Sequence, residues 1–460
     1  MCIYVLLPSG TMNDIQPINE TTVSMRHSIR RTAALLLAFI ACFSFPLSAM
    51  ALEGEYIAIR KEGAGRIALV LGKPLAEGGK ASAWSAELDR EIREGLAFTG
   101  IFNMIPPPMN LFETGASGKR TLNFGALNSI GAEIFAGGSL SAEAGQVKLS
   151  MAVYETFGAK PILSKVYTGR PDNLRAIAHA FSADLVQLLT GRRSVFGSSI
   201  VFVSNRSGFK EIYSCAFDGS SLSQLTRSRS ISLTPSLSPD GTRLAYTDYS
   251  SGRPGLKIMN MADRRVSSVR QSGVSIDPGW RSNAEVATTL SFEGDQDIYL
   301  VRPDGTLARR VTSSRGIDLS PSFSPDGTKM AFVSARFGNP QVFILDLGTG
   351  QTRRLTYNGN YNTQPSWSPA GDKIAYTTME KNGEINIFTI RPDGSGATQL
   401  TSGARENESP SWSPCGDMIV FTSGRQGQKK LYVMNANGEN QRRLLQMEGE
   451  QMQPSWSFIR

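Results

Sequence analysis

The sequence predicts a two-domain α+β protein, with a small N-terminal α/β domain followed by a six-bladed β-propeller that the C-terminal strand closes. Three observations predict it. First, a Pro-Ser/Gly motif, in most copies followed by an aromatic, recurs at Pro235, Pro278, Pro321, Pro365, Pro410 and Pro454, with gaps of 43, 43, 44, 45 and 44 residues. A period of about 40–50 residues built from short strands marks a propeller blade. Second, helical periodicity is confined to residues 54–191 and vanishes from Ser198 onward. Third, the last motif, at Pro454, has almost nothing after it, whereas the first run of blade strands, at Ile200, has no motif before it. The two chain ends therefore share one blade, which removes two open sheet edges.

The chain opens on a targeting segment. Arg26, Arg30 and Arg31 precede an apolar run over residues 33–47, and Ala49-Met50-Ala51 fits a small-x-small cleavage site. Residues 1–51 read as a signal peptide, with cleavage at Ala51/Leu52 and Met25 as the true start, because residues 1–24 are too long and polar for a leader. No other stretch holds the roughly 18–20 apolar residues of a membrane span. The protein is expected to be exported and then soluble.

Residues 52–196 carry the α/β pattern. Arg66-Ile67-Ala68-Leu69-Val70-Leu71 reads as a buried strand. Residues 84–96 read as a helix, with Leu88, Ile92 and Leu96 on one face. Residues 101–105 form a strand that Pro106-Pro107-Pro108 stops. Further strands are expected at 134–136, 147–153 and 162–167. Residues 174–189 make an amphipathic helix with Leu174, Ile177, Ala178, Phe181, Leu185 and Leu188 on its stripe, opened by Pro171-Asp172-Asn173 and ended by Gly191.

Residues 197–460 are the propeller. Each unit has the Pro motif strand, a turn such as Pro239-Asp240-Gly241 or Pro325-Asp326-Gly327, and a second strand such as Leu244-Ala245-Tyr246. A third strand such as Ile298-Tyr299-Leu300 follows, and a fourth ends in Leu-Thr or Val-Thr. In the turns, Pro pre-sets φ and Gly supplies positive φ.

Composition narrows the chemistry. The formal charge of +8 falls to +7 once residues 1–51 are set aside, and it is spread without a Lys/Arg run. That excludes a nucleic-acid footprint and leaves a solvated surface or a mild bias toward acidic partners. Beyond the leader, Cys215 and Cys415 lie in different repeats and read as free thiols. His179 is the one histidine outside the leader, on a helix, and no G-x-S-x-G elbow occurs, so no nucleophile–histidine pair is legible. Gly115-Ala116-Ser117-Gly118-Lys119 does not meet the P-loop spacing. The Pro-Asp-Gly carboxylates read as turn residues. No cofactor is expected, although a calcium ion held by carbonyls and carboxylates in the central channel stays open.

A binding surface remains. Loops joining the second strand to the third, and the fourth to the next blade, fall on one rim and carry the variety. Arg206, Tyr249, Arg253, Arg336, Phe337, Tyr361, Asn362, Arg405, Glu406, Glu408 and Arg425 are the expected partner-binding residues there, a composition that suits interface hot spots.

The repeats resemble those of the TolB family, and the likeness extends into the first domain. Gly131-Ala132-Glu133-Ile134-Phe135-Ala136-Gly137-Gly138-Ser139 resembles the family's GAD-x-hydrophobic-GS strand. Arg175-Ala176-Ile177-Ala178-His179 through Asp184 resembles its R-x-x-A-H-x-x-x-D helix. Leu189-Thr190-Gly191, with Phe196 and Ile200-Val201-Phe202-Val203-Ser204, resembles its junction into the first blade. This chain departs from the pattern at Trp280-Arg281-Ser282-Asn283, which lacks the Ser-Pro-Asp-Gly turn, and at Phe458, where Pro is usual.

The resemblance implies a non-enzymatic, monomeric adaptor of the periplasmic Tol-Pal system. It would bind the lipoprotein Pal by the propeller rim and TolA by the mature N-terminus, with Leu52, Glu53, Glu55, Tyr56, Ile57 and Ile59 in that segment. Its implied role is in outer-membrane integrity and constriction at division. The alternatives are an exported propeller enzyme (a hydrolase or lyase using the channel) and a generic envelope scaffold.

Overall fold

Apolar alternation over residues 67–169 folds into one mixed sheet. In the computed structural model, residues 65–114, 120–269, 274–292 and 295–458 are described, so the leader and residues 52–59 lie outside them. The strands are β1 (Ile67–Leu71), β2 (Leu75–Glu77), β3 (Phe102–Ile105), β4 (Phe112–Thr114), β5 (Arg120–Leu122), β6 (Ile134–Glu143), β7 (Gln146–Glu155) and β8 (Lys160–Gly169). The helices are α1 (Gly79–Thr99), α2 (Phe124–Ser129) and α3 (Leu174–Thr190). The sheet order is β3-β1-β6-β7-β8, with β2 also on β6. β1 is parallel to β3 and β6, and β6–β7–β8 is an antiparallel meander.

The predicted helical stripes bury as expected. Leu88, Ile92 and Leu96 are fully buried, as are Phe181 and Leu185, in one cluster with Leu69 and Leu71 of β1. At the end of α3 the buried residue is Leu189, while Leu188 stays partly exposed, because the 3.6-residue period carries the stripe from 185 to 189. α1 begins five residues before the expected start. Asn173 makes no side-chain cap, and Pro171–Asn173 instead forms a 3₁₀ turn leading into α3. The β4–β5 hairpin and α2 were not legible, being too short for a period. Their Leu111 and Leu127 bury with Val70 and Phe135 on the other sheet face.

Among the described residues the remaining chain forms six four-stranded sheets. Strands are named a to d from the channel outward. Blade 1 uses Ser198–Ser204, Glu211–Ala216 and Ser223–Gln224, and takes Gln451–Phe458 as its strand a. Closure by the C-terminal strand therefore stands. Blades 2 to 6 begin at Ser232, Val274, Asp318, Tyr361 and Asn407.

The repeat motif has a physical basis in strand a. Thr234, Asp277, Ser320, Gln364, Ser409 and Gln453 each precede the motif proline, and each has a positive φ between 48° and 54°. A register shift lies at the same point in every inner strand, as a β-bulge requires. The serine after proline then serves the next blade. Ser455, Ser322 and Ser411 Oγ accept the backbone N–H of Leu237, Trp367 and Trp456. The indoles of Trp280 and Trp412 donate to the carbonyls of Ser236 and Ser366 in the preceding blade. In blade 3 the serine is replaced by Gly279, where a Cβ would sit 2.1 Å from the Pro321 carbonyl oxygen.

A second repeated device lies below the rim. The threonine closing strand d (Thr226, Thr312, Thr356 and Thr401) accepts the N–H of Ile212, Ile298, Val342 and Ile387 at 2.8–3.0 Å. All four hydroxyls also donate to a side chain near the start of strand c, namely Glu211, Asp297, Gln341 and Asn386. Blade 6 changes both members together. Leu445 stands in place of threonine, and strand c opens with Lys430, which donates to the carbonyls of Met447 and Gly449. Gln451 Oε1 takes over as acceptor for the Leu431 N–H, at 3.4 Å.

The α/β part packs against the Pro-Asp-Gly side of blades 6 and 1. Arg175 pairs with Asp218 in the c–d loop of blade 1 and approaches Glu91 of α1 at 3.6 Å. Arg442 of blade 6 donates to the Phe98 carbonyl and stacks on that ring at 4.3 Å. Arg192 pairs with Asp417 at 3.3 Å. Phe98, Phe196 and Phe217 stack edge to face between the two parts.

Candidate functional site

Because the α/β part covers the turn side, the opposite rim, built from b–c and d–a loops, stays free of it among the described residues. Local bridges stiffen this rim. Lys210 pairs with Ile231, Gln296 with Ile317 and Ile385 with Glu406, each joining the start of strand c to the segment entering the next blade.

The expected rim contact residues divide into four groups. Arg206, Arg253, Phe337, Tyr361 and Arg405 are exposed, with Phe337 73% exposed, and Tyr249 is half-buried. Glu406 and Glu408 both pair with Lys429, at 3.0 and 2.6 Å. Arg336 and Arg425 turn inward. Arg336 pairs with Asp318 at 3.2 Å over the Phe332 and Phe343 rings. Arg425 bonds Ser423, Asn407 and Gln441 over Tyr432 at 4.3 Å. Asn362 is a correction. It is fully buried, donating to Gln341 Oε1 and the Asn358 carbonyl and accepting from Thr378. It is the second residue of strand a of blade 5, not a loop residue, and belongs to the polar layer rather than to the surface. Leu52, Glu53, Glu55, Tyr56, Ile57 and Ile59 fall outside the described residues.

The rim also shows apolar residues that sequence reasoning missed: Phe209, Ile231, Ile317 and Tyr357, all at least 42% exposed. The signal was available as large apolar side chains inside polar loops, as in Ser207-Gly208-Phe209-Lys210. With Phe337 and Tyr361 they form an interrupted apolar ring on one face.

The six inner strands enclose a channel of about 740 Å³. Its lining has two charged side chains, Asp277 and Arg281. Arg281 is engaged by Glu285 at 2.6 Å and by the Gly327 carbonyl at 3.1 Å. Among the described residues no three His, Cys, Asp or Glu side chains cluster to hold a metal ion.

The remaining titratable groups are structural. His179 packs between Phe196 and Phe217 at 5.3 and 5.2 Å. Burial, with Arg175 adding to it, pushes its pKa down to about 4. Cys215 is buried and its thiol is pushed up by that burial; burial raises Cys415 to about 11. Asp326 is held at about 2 by hydrogen bonds from Ser324 and Thr328, the turn role expected of a Pro-Asp-Gly carboxylate. No helix among the described residues is long and apolar enough to cross a membrane.

These features define a six-bladed propeller platform with an α/β domain fixed to one side and a loop-bearing rim on the other. Comparison with known proteins gives the particular family. The profile of the TolB beta propeller domain (PD40) matches residues 186–460. A "Protein TolB homolog" of Chlorobium luteolum is 94% identical over 435 residues, covering 95% of this chain and all of that protein. A "Tol-Pal system protein TolB" of Desulfosudis oleivorans is 40% identical over 52% of this chain and 54% of its own length. The crystal structure of TolB from Acinetobacter baumannii superposes with a TM-score of 0.74 at 21% identity, covering 86% of this chain and 97% of that one. The chain belongs to the TolB family.

Proposed function

We propose that this chain is a periplasmic adaptor whose propeller rim docks the lipoprotein Pal and whose mature N-terminus, from Leu52, engages TolA. Residues 52–196 and 197–460 are its two working parts, it acts as a monomer, and it uses no cofactor. The observation that carries the docking reading is the placement of Phe209, Ile231, Ile317, Phe337, Tyr357 and Tyr361 on the one propeller face that the α/β part leaves open. Large apolar side chains rimmed by polar loops mark protein interaction sites. Rim docking would bias the N-terminal segment only through a differential affinity for its states, and pairing of that segment with a partner strand fits β-addition.

Calorimetry of the mature chain with soluble Pal tests the reading, repeated on a chain lacking residues 52–60. Saturable binding that Phe337→Ala weakens is the expected result, with TolA binding lost in the truncated chain. Absence of Pal binding by the intact chain overturns it. Equal Pal affinities with and without residues 52–60 would remove the coupling but leave the docking.

A further inference from the structure

We propose that the channel mouth beneath the rim is a subsite for one basic side chain, lysine or arginine, of the docked protein partner, with the Asp277 carboxylate as its anion. This rests on the docking reading above and deepens it.

Asp277 lies in strand a of blade 3, within four residues of where that strand leaves the rim. Its carboxylate receives one hydrogen bond, from Ser320 Oγ to Oδ2 at 2.9 Å, and has no ion pair among the described residues. The other charge lining the channel, Arg281, is already paired with Glu285. A half-buried carboxylate without a cation is costly, and a partner charge relieves that cost. Burial pushes the Asp277 pKa up, as expected of an uncompensated site.

The surroundings select the form of the cation. Pro278 and Pro321 line the wall beside Asp277. A proline wall offers no N–H donors and gives an apolar track for an alkyl stem, which long basic side chains use while their charge reaches a polar partner. The channel's roughly 740 Å³ admits a side chain but no folded domain. A hard metal ion asks for six or more oxygen ligands and commonly several carboxylates, whereas Asp277 is the sole carboxylate in the lining among the described residues.

The test titrates the mature full-length chain separately with n-butylammonium chloride, ethylguanidinium chloride and calcium chloride, following the Trp280 indole N–H by NMR. Asp277→Asn is run alongside; asparagine tolerates the positive φ at this position and can still accept from Ser320. The expected result is a saturable shift with both organic cations that is at least about tenfold weaker in Asp277→Asn, in keeping with loss of one charge-assisted contact. Equal responses in the two proteins, or a response to calcium alone, overturn the proposal. Failure of Pal to bind the intact chain would sink the docking reading and leave this titration intact, so the two failures are distinguishable.

Discussion

The indole Nε1 of Trp456 donates to Ser198 Oγ at 2.9 Å, across 258 residues of chain. The Ser198 hydroxyl in turn donates to the Val195 carbonyl. The last strand of the propeller is thereby tied to the point where the α/β part hands the chain over.

Removing residues 453–460 therefore opens blade 1 and not merely a tail. We expect the whole propeller to unfold about 10 °C or more below the intact protein, since each kcal/mol lost moves a domain of this size by about 2–4 °C. Trp456→Phe alone should cost about 1–2 kcal/mol through loss of the indole hydrogen bond to the Ser198 hydroxyl and of packing. Scanning calorimetry reads both, and equal transitions for the intact and shortened chains would refute shared-blade closure.

His179 gives the fold an acid sensitivity. Its pKa is about 4 in the folded protein against an ordinary 6.5, mainly through burial. Between those values the unfolded chain binds the proton and the folded one does not, so stability is complete above about 6.5 and declines as pH falls toward 4. The full effect is about 3–4 kcal/mol, at about 1.4 kcal/mol for each pH unit between the two values. Urea midpoints at pH 7 and pH 4.5 should differ in the wild type, and His179→Phe should remove most of that difference.

Two neighbours at the rim should behave oppositely. Asn362→Ala removes a donor to Gln341 Oε1 and to the Asn358 carbonyl, leaves the Thr378 hydroxyl without its acceptor, and should destabilise by about 2–3 kcal/mol. Tyr361→Ala, 41% exposed, should move stability by less than about 0.5 kcal/mol while weakening rim binding. Parallel unfolding and binding measurements separate the pair.

Thr312→Val should cost about 1–3 kcal/mol, because the buried Ile298 N–H loses its hydroxyl acceptor. Blade 6 lacks that threonine natively, and Lys430→Ala there should produce a comparable loss by removing the ammonium that donates to the Met447 and Gly449 carbonyls. Chemical denaturation of the two variants checks the equivalence.

The period of the motif proline made the blades legible because every copy answers the same steric demand. What could not be read was the residue before it. Thr234, Asp277, Ser320, Gln364, Ser409 and Gln453 share no chemistry, and only the backbone makes them equivalent. The rim was legible as a face but not residue by residue. Arg336 and Arg425 sit in polar loops, yet aromatic rings from strands b and c lie directly beneath them and draw the guanidinium groups inward. Asn362 sits one residue from an exposed tyrosine and belongs to the interior. Strand alternation reverses exposure at each step, so a boundary misplaced by one residue inverts the reading.

The six motif prolines carry a consequence for solubility. An inner strand facing an open axis is an unpaired edge, and such edges recruit stray extended chains. Here each edge holds a proline, which has no N–H to offer, beside a bulge that breaks the ladder. A foreign strand threading the axis would find no continuous row of donors on any of six sides. The hole through the ring is thus guarded against cross-β templating, and whatever enters it must be held by side chains.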